Sequence, residues 1–213
     1  FEKPDSQIEL NKNRVINILF FTEKNILLSE GMGKHIDLLN FLTSFLTRDS
    51  SKNVIVRSEK GTFLLVKRKS ENIRLQDDYL EKLGGRIYNS IKSTGCTEAI
   101  IYENDTNINQ RIALGILLSS YKFSNYKKTK ENEENNLSSI IFKCIDFKNN
   151  LSLFEEIRSI AQGVYLARDL VWQPPNVLFP LSFANECIKL RDIGVKVSVF
   201  DEAELKKMGM EAL

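Results

Sequence analysis

The chain has 213 residues, of which 42% are hydrophobic and 27% are charged, and its formal net charge is +2. These values are those of a globular protein, so they exclude general disorder, a collagen-like repeat and a coiled-coil rod. The small net charge also excludes overall attraction to nucleic acid or anionic lipid, and any such binding must be local. Because residue 1 is Phe rather than Met, we expect a piece of a longer gene product.

The cysteines and the apolar segments indicate the cellular compartment of the protein. Cys96, Cys144 and Cys187 are an odd number at wide spacing, which is typical of buried thiols in a reducing environment rather than of a disulfide framework. The sequence has no signal-peptide pattern at its start and no apolar run near the roughly 18 residues of a membrane span. We therefore expect a cytoplasmic protein without membrane contact.

Residues 15–147 alternate between strand-like and helix-like segments. Apolar or β-rich runs predict strands over 15–21, 54–56, 62–66, 97–102 and 137–147, and apolar periodicity predicts helices over 36–46, 76–92 and 108–121. Such alternation predicts an α/β domain with a mixed, largely parallel sheet flanked by helices.

Gly84 and Gly85 lie inside the second predicted helix. Each glycine costs about 1 kcal/mol in a helix relative to alanine, so something must offset the loss. The pair therefore predicts a close approach of the helix backbone to the sheet, where a Cβ would clash.

A long helix is predicted from Leu151, where Ser152 and Glu155 have the spacing of a capping box. It should end at Gln173, because the position before a proline disfavours helical backbone. We interpret this helix as a linker between two domains.

After the linker, the sequence predicts a helix opened by Pro180, a strand over 195–200 and a helix begun by Asp201. One strand between two helices cannot bury both of its faces. The expected organisation is thus an N-terminal domain at 1–148, a linker helix at 149–173 and an incomplete α/β domain at 174–213.

Residues 163–213 resemble the segment of leucyl (cytosol) aminopeptidases that joins their N-terminal and catalytic domains. The similarity is densest at ARDL (167–170), PPN (174–176), Pro180 with FA (183–184) and LKKMGM (205–210). Upstream, ALGILL (113–118) and KLGG (82–85) are similar to two N-terminal-domain helices of the same family. This sequence departs from the family at Trp172, where a small polar residue is common, and at Phe179, where a helix-capping Thr is usual.

The resemblance implies a two-metal peptidase, usually a homo-hexamer, that removes N-terminal residues from peptides and has a macro-like N-terminal domain. It implies two divalent ions, Zn or Mn, bound by motifs of the types GKGxxFDxGG and NTDAEGR. Neither motif occurs in this sequence. We therefore expect no catalytic, cofactor-binding or metal-binding residues in this chain, and an architectural role in oligomer formation and in access to the active site.

We interpret the remaining candidates for catalytic or metal-binding residues as structural residues. His35 is the single histidine, and we interpret it as a polar residue near a helix start rather than a ligand or base. Carboxylates cluster at predicted helix starts, where they complement the helix dipole, or in a polar loop. These clusters are Asp77-Asp78, Glu131-Glu133-Glu134, Glu155-Glu156 and Asp201-Glu202-Glu204.

An alternative function is a non-catalytic, macro-like module that binds a nucleotide or nucleic acid. Gly31-Met32-Gly33 is the segment most like a phosphate loop, but it lacks a third glycine. The basic runs are Lys67-Arg68-Lys69 and Lys127-Lys128-Lys130, and Glu131, Glu133 and Glu134 directly follow the second. We interpret both runs as solvated surface and expect no nucleic-acid partner.

Overall fold

The computed structural model describes residues 14–22, 25–27, 36–46, 53–68, 77–126 and 137–210. They form two compact units, Phe1–Tyr165 and Leu166–Leu213. The first unit thus ends inside the predicted linker helix, and the domain boundary at 148/149 stays a prediction.

The first unit contains one mixed sheet with the strand order β3-β4-β1-β5-β6, and β2 pairs with β1 beside this path. Strand β1 is parallel to β4 and β5, and β5 is parallel to β6, whereas β3 pairs with β4 in antiparallel fashion. The predicted fold class, a mixed and largely parallel sheet flanked by helices, is confirmed. The strands are β1 Val15–Thr22, β2 Asn25–Ile26, β3 Val54–Ser58, β4 Gly61–Lys67, β5 Glu98–Tyr102 and β6 Ser139–Lys143.

In the described part of the chain, four α-helices begin in the first unit and two lie in the second. They are α1 Ile36–Thr43, α2 Asp77–Lys92, α3 Thr106–Ser120, α4 Phe147–Val171, α5 Pro180–Lys189 and α6 Glu202–Lys207. A 3₁₀ turn, Leu190–Ile193, follows α5.

The central strand β1 is buried on both faces. Ile18 and Phe20 face a core shared with α2 and α3, whereas Leu19 and Phe21 face a second core that includes α1. Alternate residues of a strand point to opposite faces, so an uninterrupted apolar run indicates a strand that is covered on both sides.

The glycines of α2 contact another helix, so the expectation that they approach the sheet is wrong. A Cβ on Gly84 would overlap the backbone carbonyl of Ile112 in α3. Reciprocally, a Cβ on Gly115 would overlap the carbonyl of Glu81 in α2. The absent side chains therefore let two helix backbones touch on the same face of the sheet.

Helix α4 begins at Phe147 rather than Leu151, so the predicted capping box is wrong. Asp146 provides the start: its Oδ1 accepts the Asn149 N–H at 3.3 Å and its carbonyl accepts the Asn150 N–H at 3.1 Å. Because the helix starts four residues earlier, Ser152 lies in its interior, where it is exposed.

In the second unit, the two predicted helix starts are confirmed. Helix α5 starts at Pro180, and Ser182 Oγ accepts the backbone N–H of Phe179 at 2.8 Å. Helix α6 has a capping box: Asp201 Oδ1 accepts the Glu204 N–H at 2.8 Å, and Glu204 Oε2 accepts the Asp201 N–H at 2.9 Å.

The strand predicted over 195–200 is wrong: these residues lie outside any helix or strand and pair with no described segment. The carbonyl of Val197 accepts the Arg191 guanidinium instead, at 2.5 Å from Nη2. Val199 and Phe200 are about half exposed. A strand needs a partner to satisfy its backbone groups and to cover its apolar side chains.

We expect the amides of 195–200 to exchange with solvent much faster than those of Val15–Thr22. The reason is that the first segment lacks ladder hydrogen bonds, whereas β1 is hydrogen-bonded on both sides and buried. Hydrogen exchange of the 213-residue chain measures both segments in one sample. Equal protection in a monomer would contradict the absence of pairing.

Candidate functional site

Several predicted candidates lie outside the described residues: His35, Gly31-Met32-Gly33, Lys69, the run Lys127-Lys128-Lys130 and the cluster Glu131-Glu133-Glu134. Two of the predicted carboxylate clusters lie at helix starts, as expected. The first turn of α2 contains Asp77 and Asp78, and the first turn of α6 contains Glu202 and Glu204. The placement of Glu155 and Glu156 at a helix start is wrong, because α4 begins eight residues before Glu155.

The described residues do not fit a two-metal centre. Among them, no group of three or more His, Cys, Asp or Glu side chains is close enough to hold a metal ion. Two-metal hydrolysis requires several such side chains to converge on one point.

A buried ion pair at the carboxyl edge of the sheet is the main polar feature that the sequence interpretation missed. Arg68 follows β4 and Glu103 follows β5, and because β1 lies between these strands, the pair spans the end of β1. Their side chains are only 2% and 11% exposed. The Arg68 backbone N–H donates to the Phe21 carbonyl at 2.9 Å, and its guanidinium lies 5.7 Å from the Phe20 ring centre.

Glu103 also organises the loop that leads into α3. Its Oε1 accepts the backbone N–H groups of Asn104, at 2.9 Å, and Asp105, at 3.0 Å. Burial raises the pKa of the Glu103 carboxyl, and the charge of Arg68 and these two N–H groups offset the rise only in part. Asp105 in turn caps α3, since its Oδ1 accepts the Ile108 N–H at 3.0 Å.

This edge is where an open parallel sheet commonly binds ligands, and a helix N-terminus there favours anions. In this chain, however, the N–H groups of Asn104, Asp105 and Ile108 already bind the chain's own carboxylates. The Arg68 guanidinium is likewise paired with Glu103. The arrangement therefore favours a structural role over phosphate binding, and it gives the nucleotide-binding alternative no support.

A second polar cluster attaches the beginning of α4 to α3. Asn150, which is fully buried, donates to Thr106 Oγ1 at 3.0 Å, and Gln110 donates to the Asn150 carbonyl at 2.8 Å. Fifteen residues along α4, the Tyr165 hydroxyl donates to the Leu117 carbonyl of α3. Between these contacts Ile157 and Ala161 are buried, so this part of α4 is firmly packed within the first unit.

The cysteines are consistent with the sequence interpretation. All three are free, with Cys96 and Cys144 buried and Cys187 partly buried. Burial raises the pKa of the Cys144 thiol, which makes it a weak nucleophile at neutral pH.

None of the helices in the described part of the chain has the length and apolar character needed to cross a membrane.

Comparison with known proteins identifies relatives of this chain. Residues 67–130 match the model of the cytosol aminopeptidase family, N-terminal domain. A probable cytosol aminopeptidase of Brucella melitensis is 40% identical over 144 residues, which are 64% of this chain and 30% of that protein. One from Rhizobium etli is 37% identical over 139 residues, covering 62% of this chain and 28% of that protein. The matched part of the chain thus spans less than a third of the length of these curated relatives.

Solved structures share the fold at low sequence identity. A mutant of tomato leucine aminopeptidase has a TM-score of 0.70 and 20% identity, over 98% of this chain and 45% of that one. The bottromycin maturation enzyme BotP in complex with Mn has a TM-score of 0.62 and 16% identity, over 92% of this chain and 40% of that one.

The first unit is thus an α/β domain, and residues 67–130 within it match the N-terminal domain of the cytosol aminopeptidase family. Over these residues the chain is similar to the leucyl (cytosol) aminopeptidase family, and the resemblance seen in its sequence is confirmed.

Proposed function

We propose that this chain is the N-terminal portion of a metal-dependent leucyl aminopeptidase, which releases N-terminal amino acids from peptides. The observation that carries the proposal is the 40% identity over 144 residues to a probable cytosol aminopeptidase. Because that match covers only 30% of the relative, the activity belongs to a longer protein than the 213 residues. In that protein we propose a cytoplasmic location, peptide substrates and a homo-hexameric state.

The role proposed for this portion is architectural. Its parts are the N-terminal domain at 1–148, the linker helix at 149–173 and the start of the catalytic domain at 174–213. Exposed apolar side chains in the second unit support the last assignment, because a complete domain would cover most of them. They include Trp172, Leu181, Phe183, Ile193 and Phe200.

The metal ions, Zn or Mn, are proposed to bind outside this chain. The family's ligands lie in motifs of the types GKGxxFDxGG and NTDAEGR, and neither occurs in the 213 residues. Such a pair of ions would supply Lewis-acid activation of the scissile carbonyl and of the attacking water in the longer protein. The residues of this chain are proposed to shape the access to that site and to place the subunits within the oligomer.

The test compares the 213-residue chain with the gene product extended beyond Leu213. With Mn²⁺ or Zn²⁺ present, the extended protein is expected to hydrolyse leucyl-p-nitroanilide and to lose activity with a chelator, because the proposal places the ligand motifs in the added sequence. The 213-residue chain is expected to show no metal-dependent turnover. Turnover by the purified short chain, or an extended product without either motif, would overturn the proposal.

A further inference from the structure

A cavity of about 310 Å³ opens in the first unit, with walls from α2, α3, α4 and the residues around the start of β6. Its surface is largely apolar, and none of the described residues that line it is charged. Aromatic rings form part of the wall, from Tyr88, Phe142 and Phe154. An apolar cavity of about 150 Å³ is enough to hold benzene, so this cavity can hold an uncharged molecule of two fused rings.

The hydroxyl of Tyr88, in this wall, has no hydrogen-bond partner among the described residues. Tyr88 lies in α2 and is only 9% exposed. A tyrosine hydroxyl in such a buried position usually has a partner. Its oxygen is not fully sealed within the protein, and the side chain borders the cavity. The hydroxyl is therefore available to a molecule that occupies the cavity.

Two other hydroxyls around the cavity are already used within the protein. Ser120 donates to the Leu117 carbonyl at 2.8 Å. Ser138 donates to the Thr97 carbonyl at 2.9 Å. A water molecule could pair with Tyr88, but a water occupies only about 30 Å³ and needs two to four polar partners. Most of the cavity would then hold poorly bonded water, and its displacement by an apolar molecule is favourable.

The segment that leads into β6 cannot provide an apolar occupant. Residues 127–136 read KKTKENEENN, and every one of them is polar or charged. Burying any of these side chains in an uncharged, largely apolar cavity would be unfavourable. A separate small molecule fits the volume and the chemistry of the cavity better than this neighbouring segment does.

We propose that this cavity binds a small, uncharged aromatic molecule that carries an N–H or O–H group. The three aromatic rings of the wall favour an aromatic ligand, through offset or edge-to-face contacts. The Tyr88 hydroxyl oxygen accepts the hydrogen bond of the ligand and fixes its orientation, as the few polar groups of an apolar site commonly do. A charged ligand is excluded, because the uncharged walls would not compensate its loss of hydration. The inference goes beyond the proposed function and does not depend on it, since neither peptides nor metal ions take part.

The test uses the 213-residue chain labelled with ¹⁵N and two probes of the same size, indole and indene. Indole has an N–H group, which indene replaces with CH₂. Indole is expected to shift the amide signals of cavity residues such as Ile116 and Ser139 in a saturable manner, with a Kd of about 1 mM or lower. A nuclear Overhauser effect between the indole N–H and the ring protons of Tyr88 is expected in the same sample, and it locates the hydrogen bond without any substitution.

Two variants separate the hydrogen bond from the apolar contacts. Tyr88→Phe removes only the hydroxyl, so it is expected to weaken indole binding about three- to tenfold and to leave indene binding unchanged. Ala113→Leu fills part of the cavity and is expected to weaken both probes at least about tenfold. The matched control is Tyr126→Phe, at an exposed position outside the cavity, which should bind both probes like the parent. Thermal melting of each variant checks folding, and if Tyr88→Phe is destabilised, the Overhauser effect in the parent decides.

Three results would overturn the proposal. The first is the absence of saturable shifts at the cavity residues with indole. The second is a Tyr88→Phe variant that weakens indole and indene equally, or neither of them, because the hydroxyl would then not bind the ligand. The third is an Ala113→Leu variant that binds indole like the parent, which would place the probe elsewhere. The hydrolysis assay on the extended protein is independent of all three results, so failure of the cavity site and failure of the proposed function are distinguishable.

Discussion

Replacing Gly115 with alanine is expected to destabilise the first unit by about 3 kcal/mol or more. Gly115 lies in α3 at its contact with α2, where a Cβ would overlap the backbone carbonyl of Glu81. A backbone carbonyl within a helix cannot rotate away as a side chain can. The new methyl group must therefore separate the two helices, and cavities would open along their buried faces.

The matched control for this substitution is Gly163→Ala in α4. Nothing lies within 4 Å of a Cβ built on Gly163, and alanine is the better helix former by about 1 kcal/mol. This variant is expected to be as stable as the parent or slightly more stable. Urea unfolding followed by circular dichroism measures both variants, and similar midpoints for the two would contradict the helix contact.

An intermediate effect is expected at Gly85. A Cβ there would lie 2.6 Å from Ser119 Oγ, which belongs to a side chain that can adopt another rotamer. The order of destabilisation, Gly115→Ala above Gly85→Ala above Gly163→Ala, therefore tests whether the backbone contact is the cause.

The sequence predicts the alternation of strands and helices well, because those signals are local. It also predicts that Gly84 and Gly85 mark a close backbone approach. It does not identify the neighbour, since a glycine pair carries the same local information whether the facing backbone is a strand or a helix. The identity of α3 as the partner depends on its Gly115, which is separated from the pair by a whole strand.

Two wrong predictions, the strand over 195–200 and the capping box at Ser152 and Glu155, have a common physical origin. Residues 195–200 have high β-propensity, but a strand exists only where another strand pairs with it, and no described segment does. Likewise, Ser152 and Glu155 match a capping pattern, yet the chain enters α4 earlier, at Phe147. There, Asp146 caps the first turn and the buried Asn150 accepts a hydrogen bond from Gln110 of α3, and local sequence does not encode this second contact.

The ion pair of Arg68 and Glu103 at the sheet edge could not be predicted from the sequence for a related reason. Arg68 lies within a basic run, and such runs are usually solvated. Its inward orientation is, however, consistent with strand alternation, because Leu64 and Val66 face the same core as Phe20. The pairing with Glu103 depends on β1 lying between β4 and β5, which is a property of strand order rather than of the sequence.

The second large effect is expected for Arg68→Leu, which should destabilise the protein by about 3–5 kcal/mol at pH 7. The variant leaves the Glu103 carboxylate buried without its guanidinium partner. Since the charge of Arg68 lowers the pKa of Glu103, its removal is expected to raise that pKa further above its already raised value. The loss arises because an unpaired buried carboxylate must either remain charged at high cost or take up a proton.

The stability lost in Arg68→Leu should be larger at pH 7 than at lower pH. A carboxyl whose folded-state pKa is raised contributes stability that is fully present below its unfolded pKa and is lost as the pH rises through its folded pKa. In Arg68→Leu this folded pKa lies higher than in the parent. The variant is therefore expected to differ most from the parent near pH 7 and to approach it as the pH falls towards 5 and below.

Two further variants separate this mechanism from a simple loss of packing. Arg68→Leu combined with Glu103→Leu removes the unpaired charge, so it is expected to recover most of the stability at pH 7 and to lose the pH dependence. Lys82→Leu breaks the pair between Lys82 and Asp78, whose side chains are 77% and 63% exposed. This surface change is expected to alter stability by no more than about 0.5 kcal/mol. Urea unfolding at pH 7 and pH 5 measures all three variants. An Arg68→Leu loss that is equal at both pH values, or no greater than that of Lys82→Leu, would show that the buried pair does not hold the sheet edge together.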